Sequence, residues 1–167
     1  MQPGVIQQAA LLPQGEKLYA RAELDQNYLK QLTELLNSGE PLWATYRFGL
    51  YRIHHWLPDL RISQIILKRR VRLRLVTRRY EMLDEQTKQI QYTDNPEEAM
   101  SFLGAPRYVL MGMLRDHGRH FPLDRRYRLH VDLTLEHEDM SHLFHLLDQW
   151  FRFGQSGLFH LQAPYPP

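Results

Sequence analysis

From residue 127 to 136 apolar and polar side chains alternate without a slip. Tyr127, Leu129, Val131, Leu133 and Leu135 take the odd positions, and Arg128, His130, Asp132, Thr134 and Glu136 take the even ones. Successive side chains on a strand point to opposite faces, so this period predicts a half-buried strand. Residues 42–52 repeat the pattern, with Leu42, Ala44, Tyr46, Phe48 and Leu50 on one face. The longest run covers residues 61–80: Ile65, Leu67, Val71, Leu73 and Leu75 share one parity, and Lys68, Arg70, Arg72 and Arg74 take the other. Arg69 interrupts that order, which predicts a bulge or turn near 68–70 that splits the run into two strands. Shorter strands are expected at 18–24, after a turn at 13–15, and at 158–161.

Three stretches switch to helical spacing. Residues 27–36 place Tyr28, Leu29, Leu32, Leu35 and Leu36 on one stripe and stop at Asn37-Ser38-Gly39, a C-terminal signal. Residues 94–103 open with Asp-Asn-Pro-Glu-Glu, acidic in the first turn where the helix dipole favours it. Residues 138–151 carry Met140, Leu143, Phe144, Leu147, Trp150 and Phe151 on an amphipathic stripe. The apolar run 108–114 fits a buried strand or part of a helix. Together these elements predict one domain over residues 1–167, with 1–16 and 162–167 as loosely ordered ends. The fold class is mainly β, an immunoglobulin-like β-sandwich with two or three short peripheral helices. An α+β fold with helices on one face of an antiparallel sheet is the alternative.

Composition narrows the chemistry. The chain has no cysteine, which excludes disulfides, thiolate nucleophiles and cysteine-bound metals. No apolar stretch approaches the ~18 residues of a membrane-spanning helix. The first twelve residues lack the basic and apolar regions of an export signal. The expected compartment is therefore the periplasm or cell envelope if such a signal has been removed, and otherwise the cytoplasm. A formal charge of +2 is too small to imply nucleic acid, so the arrangement of charge carries more information.

That arrangement is sharpest at Lys68, Arg70, Arg72 and Arg74. Side chains two apart on a strand stand ~7 Å apart, near the spacing of successive phosphates or lipid head groups. Arginine forks bind phosphate and carboxylate bidentately. The row suits an anionic surface: a membrane, nucleic acid or an acidic protein. No aromatic residue is interleaved along it, which ranks nucleic acid below the others. A solvated outer face, its arginines paired with Asp132 or Glu136 on neighbouring strands, accounts for the same residues.

Other constellations compete with plainer readings. His137, His142 and His145, with Glu136, Glu138 and Asp139, can converge on a zinc ion if they share a helix face, but they form no His-Glu-x-x-His motif. A solvated polar face explains them equally. Asp116, His117, Arg119 and His120 offer acid–base groups in what reads as a polar loop. His54-His55-Trp56 ends a strand, where a hairpin turn needs no chemistry. No serine lies in a Gly-x-Ser-x-Gly context, and there is no dinucleotide or phosphate-binding loop. No cofactor is expected. Trp43, Tyr51 and Ile53 fall on the parity opposite the apolar face of their strand. They make an aromatic partner or dimer surface unless a helix, such as 140–151, covers them.

Several short segments carry a family resemblance. They are Asn37-Ser38-Gly39-Glu40-Pro41-Leu42, Leu50-Tyr51-Arg52, the step from Trp56 to Asp59, the run from Leu73 to Tyr80, Glu98-Ala99 with Leu103, and Tyr127-Arg128-Leu129. Over residues 17–161 the chain resembles an uncharacterised domain-of-unknown-function family of small exported proteobacterial proteins. Its genes often lie beside those of a nitrogen-regulatory sensor kinase pair. The resemblance implies a place in the cell envelope and carries no established activity. The functional expectation is a non-catalytic binding or accessory module that meets an anionic partner through Lys68, Arg70, Arg72 and Arg74. A metal-dependent enzyme using the cluster at 136–145 and a structural protein dimerising through Trp43 and Tyr51 are the alternatives.

Overall fold

The computed structural model describes residues 6–113, 115–116, 119–120, 126–137 and 151–160. The chain opens with a hairpin of β1 (Ile6–Gln14) and β2 (Lys17–Leu24), joined by the two-residue turn Gly15-Glu16. Gly15 takes φ +57° there, the left-handed region that a tight hairpin needs and that glycine enters at no steric cost. Much of the expected loose N-terminal end is thus a paired strand. Its ladder slips between Ile6 and Gln8, so the buried Ile6 and Leu11 stand an odd number of residues apart. A period-two search misses such a strand.

α1 (Gln26–Asn37) starts on Asp25, whose carboxylate accepts from the backbone N–H of Asn27 at 2.9 Å and of Tyr28 at 3.3 Å. Leu32 and Leu36 are buried. The helix ends at Gly39 (φ +87°), whose N–H donates to the Leu36 carbonyl at 2.9 Å.

Four strands then run as a meander: β3 (Leu42–Arg52), β4 (Leu60–Arg74), β5 (Arg79–Asp84) and β6 (Gln89–Thr93). α2 (Pro96–Gly104) follows, capped by the Asn95 side chain, with Glu97 and Glu98 in its first turn. The apolar run at 108–114 becomes the strand β7 (Val109–Met113). β8 (Arg115–Asp116) and β9 (Arg119–His120) pair as a short ladder. β10 (Arg126–His137) and β11 (Phe151–His160) complete the described residues.

All pairings among the described residues are antiparallel. The sheets are β1-β2-β7, the six-stranded β11-β10-β3-β4-β5-β6, and the short β8-β9 pair. Among the described residues the fold is mainly β with two helices and two larger sheets that do not close into a barrel, and the α+β alternative is compatible with it. Of the helix expected at 138–151, Phe151 instead opens β11 and the rest lies outside the described residues. The terminal strand expected at 158–161 falls within β11 as far as His160. Among the described residues no helix is long and apolar enough to cross a membrane.

No bulge splits the long basic run. β4 extends for 15 residues, and its pairing with β3 is unbroken from Leu42↔Val71 to Leu50↔Ser63; the one shift lies beyond, at Leu50/Tyr51. Arg69 therefore stays on the inner face with Leu67 and Val71. Its Nη1 donates to the Phe102 carbonyl at 2.7 Å, and its guanidinium lies 4.6 Å from the Phe102 ring centre. Asp84 stands 3.9 Å away. The phenol of buried Tyr46 donates to the Leu103 carbonyl at 2.9 Å. Both carbonyls belong to the last turn of α2, where no intrahelical N–H reaches them. An arginine is tolerated inside because it finishes a helix end and stacks on an aromatic ring.

The Tyr46→Phe variant leaves the Leu103 carbonyl without this donor, and we expect a loss of about 1–2 kcal/mol. The urea midpoint should fall with an unchanged slope. An unshifted midpoint would mean that the bond contributes nothing to holding α2.

Candidate binding face

The unbroken pleat of β4 turns Lys68, Arg70, Arg72 and Arg74 to the outer face of the six-stranded sheet. Register then fixes their neighbours. Across β10, β3, β4, β5 and β6, one row reads Glu136, Trp43, Arg70, Leu83, Ile90. In the row beside it, Arg72, Glu81 and Tyr92 lie side by side.

Glu81 organises this face. Although Arg72 is directly opposite, the carboxylate is held by the diagonal neighbours on either side. Arg70 Nη2 donates to Oε1 at 2.7 Å and Arg74 Nε to Oε2 at 2.8 Å, with Arg74 Nη2 on the same oxygen. Only 3% of the Glu81 side chain is exposed, against 25% for Arg70 and 50% for Arg74. Burial alone would raise the Glu81 carboxyl. The hydrogen bonds and charges of Arg74 and Arg70 outweigh it and hold the group below the usual carboxylate range.

The other two cations are arranged differently. Lys68 Nζ stands 4.5 Å from the centre of the Trp43 ring, which Arg70 also approaches at 5.2 Å. Arg72 is exposed and makes no ion pair among the described residues. Asp132 and Glu136, the partners expected from sequence, do not pair with the row. Asp132 instead lies 3.0 Å from His130 Nε2. It also lines a shallow polar dent of about 100 Å³ with Thr45, Arg47 and Thr134. An aromatic residue is interleaved after all, supplied by β3 rather than by the basic strand itself.

Trp43 and Tyr51 share the outer face but sit near opposite ends of β3. The Tyr51 ring folds back over Gly49, where a Cβ would meet its Cε2 at 2.9 Å. Neither described helix covers them, since α1 and α2 bury their apolar residues in the core on the inner side. His137 ends β10, while Glu138, Asp139, His142 and His145 lie outside the described residues. Among the described residues no three His, Asp or Glu side chains gather to hold a metal. Asp116 and Arg119 pair across the β8–β9 ladder, and His117 lies outside the described residues.

Glu81 is the residue that sequence reading passes over. Its one signal is a lone acid between Tyr80 and Met82, just after an arginine-rich strand.

A carboxylate with a lowered folded pKa contributes stability that is fully present above the unfolded value of ~4.3 and lost as pH falls through the folded value. We expect the urea midpoint of the parent to exceed that of Glu81→Gln by a constant margin from about pH 7 to 5, and the margin to shrink below about pH 4. A margin that widened on acidification would contradict the ion-paired carboxylate.

No curated protein and no solved structure matches the chain. Over residues 2–151 the sequence matches a family described as a domain of unknown function, DUF4390. With most of its length covered by that match, the chain belongs to this uncharacterised family.

Proposed function

We propose that the chain is a non-catalytic binding or accessory module of the bacterial cell envelope, and that its outer sheet face receives an acidic protein partner. Placement in the envelope rests on the family resemblance read from the sequence. The observation that carries the binding reading is the burial of Glu81 beneath Arg70 and Arg74. One carboxylate shared between two guanidiniums fixes both forks before any partner arrives and leaves positive charge over. Holding side chains in place beforehand lowers the ordering cost of association. Beside them Arg72 has no ion pair among the described residues, and Lys68 is steadied over Trp43.

The surroundings favour a protein over a simple polyanion. Trp43, Leu83, Ile90 and Tyr92 share the face with the cations, and Ile90 and Tyr92 are each 51% exposed. Arginine and aromatic residues gathered in one patch are the usual energetic centre of protein interfaces. Carboxylates on the partner would meet Arg72 and Lys68, while its apolar groups would cover Tyr92 and Ile90.

The test uses Lys68→Gln with Arg72→Gln, because removing Arg70 or Arg74 would strip a buried carboxylate of its partner and confuse binding with folding. In affinity capture from a bacterial envelope extract, the parent should retain a partner that raised salt releases. The double variant should lose it. Identical captures by both proteins would reduce the row to solvated surface.

A further inference from the structure

The hairpin joining β3 to β4 carries a different surface at the far end of the same sheet. We propose that its tip is a membrane anchor, inserting into the interface of an anionic phospholipid bilayer. The inference is independent of the partner face proposed above.

β3 ends at Arg52 and β4 begins at Leu60; between them run Ile53-His54-His55-Trp56-Leu57-Pro58-Asp59. Trp56 is 96% exposed, Leu57 67% and Leu60 58%. Single exposed apolar residues are ordinary on a protein surface, but adjacent Trp56 and Leu57 in one turn, with Leu60 at the start of the next strand, are not. Tryptophan and leucine are the side chains that interfacial segments bury at the boundary between head groups and acyl chains. Pro58 brings no N–H to the turn, so one fewer backbone donor must leave water on insertion.

Behind the tip lies a collar of cations. Register across β10, β3 and β4 places Arg128, Tyr51 and Arg61 in one row, and Arg52 closes β3 beside it. Arg128 Nη1 reaches Asp59 Oδ2 at 3.0 Å, fastening the base of the turn to β10 while 43% of the arginine side chain stays exposed. Arg61 is exposed and donates to Gln64 Oε1 at 2.7 Å. Arg128 and Arg61 thus share the outer face behind the turn, Arg52 takes the parity of the opposite face, and Asp59, bound to Arg128, is the one carboxylate of the turn. An apolar tip followed by guanidiniums is the order that a bilayer presents in reverse, acyl chains beneath phosphates. That excess of cations behind the apolar turn favours an anionic bilayer over a neutral protein groove.

The opposite hairpin, between β4 and β5, serves as a control. Val76 is 98% exposed there and Leu75, which lies against Gly39, is 61% exposed, but the turn holds no tryptophan. From Arg61 to Arg70 the strand covers roughly 30 Å at ~3.3 Å per residue. A tip seated on a membrane leaves the Glu81 end clear of it.

The full chain is mixed with phosphatidylcholine vesicles, with and without roughly one-third phosphatidylglycerol, and bound protein is measured by co-sedimentation. The parent should bind the anionic vesicles, with a blue shift of tryptophan fluorescence, and release from them as salt rises. Trp56→Ser should lower partitioning about tenfold. Its urea midpoint should match the parent, since the replaced side chain is exposed. Val76→Ser should bind as the parent does. A parent that ignores both kinds of vesicle would overturn the proposal and leave the tip to a protein groove. Equal binding by parent and Trp56→Ser, or an equal loss in Val76→Ser, would overturn it too.

Discussion

The pleat of β4 is the constraint from which both faces of the large sheet follow. Across its basic stretch the strand pairs without a slip, with β3 as far as Val71 and with β5 from Arg69 to Arg74, so residues two apart cannot change sides. Arg70, Arg72 and Arg74 must point outward, and Arg69 must point into the core. A bulge at 68–70 would relieve Arg69 but rotate the following residues, driving Arg70, Arg72 and Arg74 inward and Val71 outward. The fold instead keeps the pleat and gives Arg69 a task. It meets the Phe102 carbonyl at the end of α2 and stacks on the Phe102 ring, while Tyr46 takes the neighbouring carbonyl. Burial lowers the Arg69 pKa, and the nearby Asp84 opposes that shift.

On the outer side the same pleat concentrates like charge, which by itself would repel. Glu81 resolves the conflict from the next strand. It sits opposite Arg72 but bonds to Arg70 and Arg74, bridging the two arginines that flank its own cross-strand partner. The result is a fixed pair of forks with an exposed guanidinium between them, unpaired among the described residues. This is a geometry for meeting carboxylates, and the aromatic and aliphatic neighbours on β3, β5 and β6 give it an apolar surround. The Trp56 turn, at the other end of β3 and β4, combines exposed apolar side chains with its own arginines. One sheet thus presents two chemically distinct ends.

Much of this is legible in the amino-acid sequence alone. Strict alternation at Tyr127–Leu135 and Leu42–Leu50 marks two central strands and their buried sides. Asn37-Ser38-Gly39 closes α1, and Asn95-Pro96-Glu97-Glu98 opens α2, because caps act locally. Interactions set by pairing are hidden from a linear reading. β1 escapes because a ladder slip shifts its parity. Arg69 reads as a break because nothing local announces that α2 will lie over it. Glu81 and Trp43 belong to the basic face only through cross-strand register, which a linear pattern does not contain. The partners that charge alone suggests for the arginines, Asp132 and Glu136, lie on β10, beyond β3 from the basic strand.

Glu81 holds Arg70 and Arg74 in place, while Arg72 is exposed and has no ion pair among the described residues. Nitrogen-15 NMR of the arginine side chains reports this directly, through exchange of each Nε–H with water. Slow exchange is expected at Arg74 Nε and fast exchange at Arg72, with Arg74 returning to fast exchange in Glu81→Gln. Equal, rapid exchange at Arg72 and Arg74 in the parent protein would contradict that arrangement.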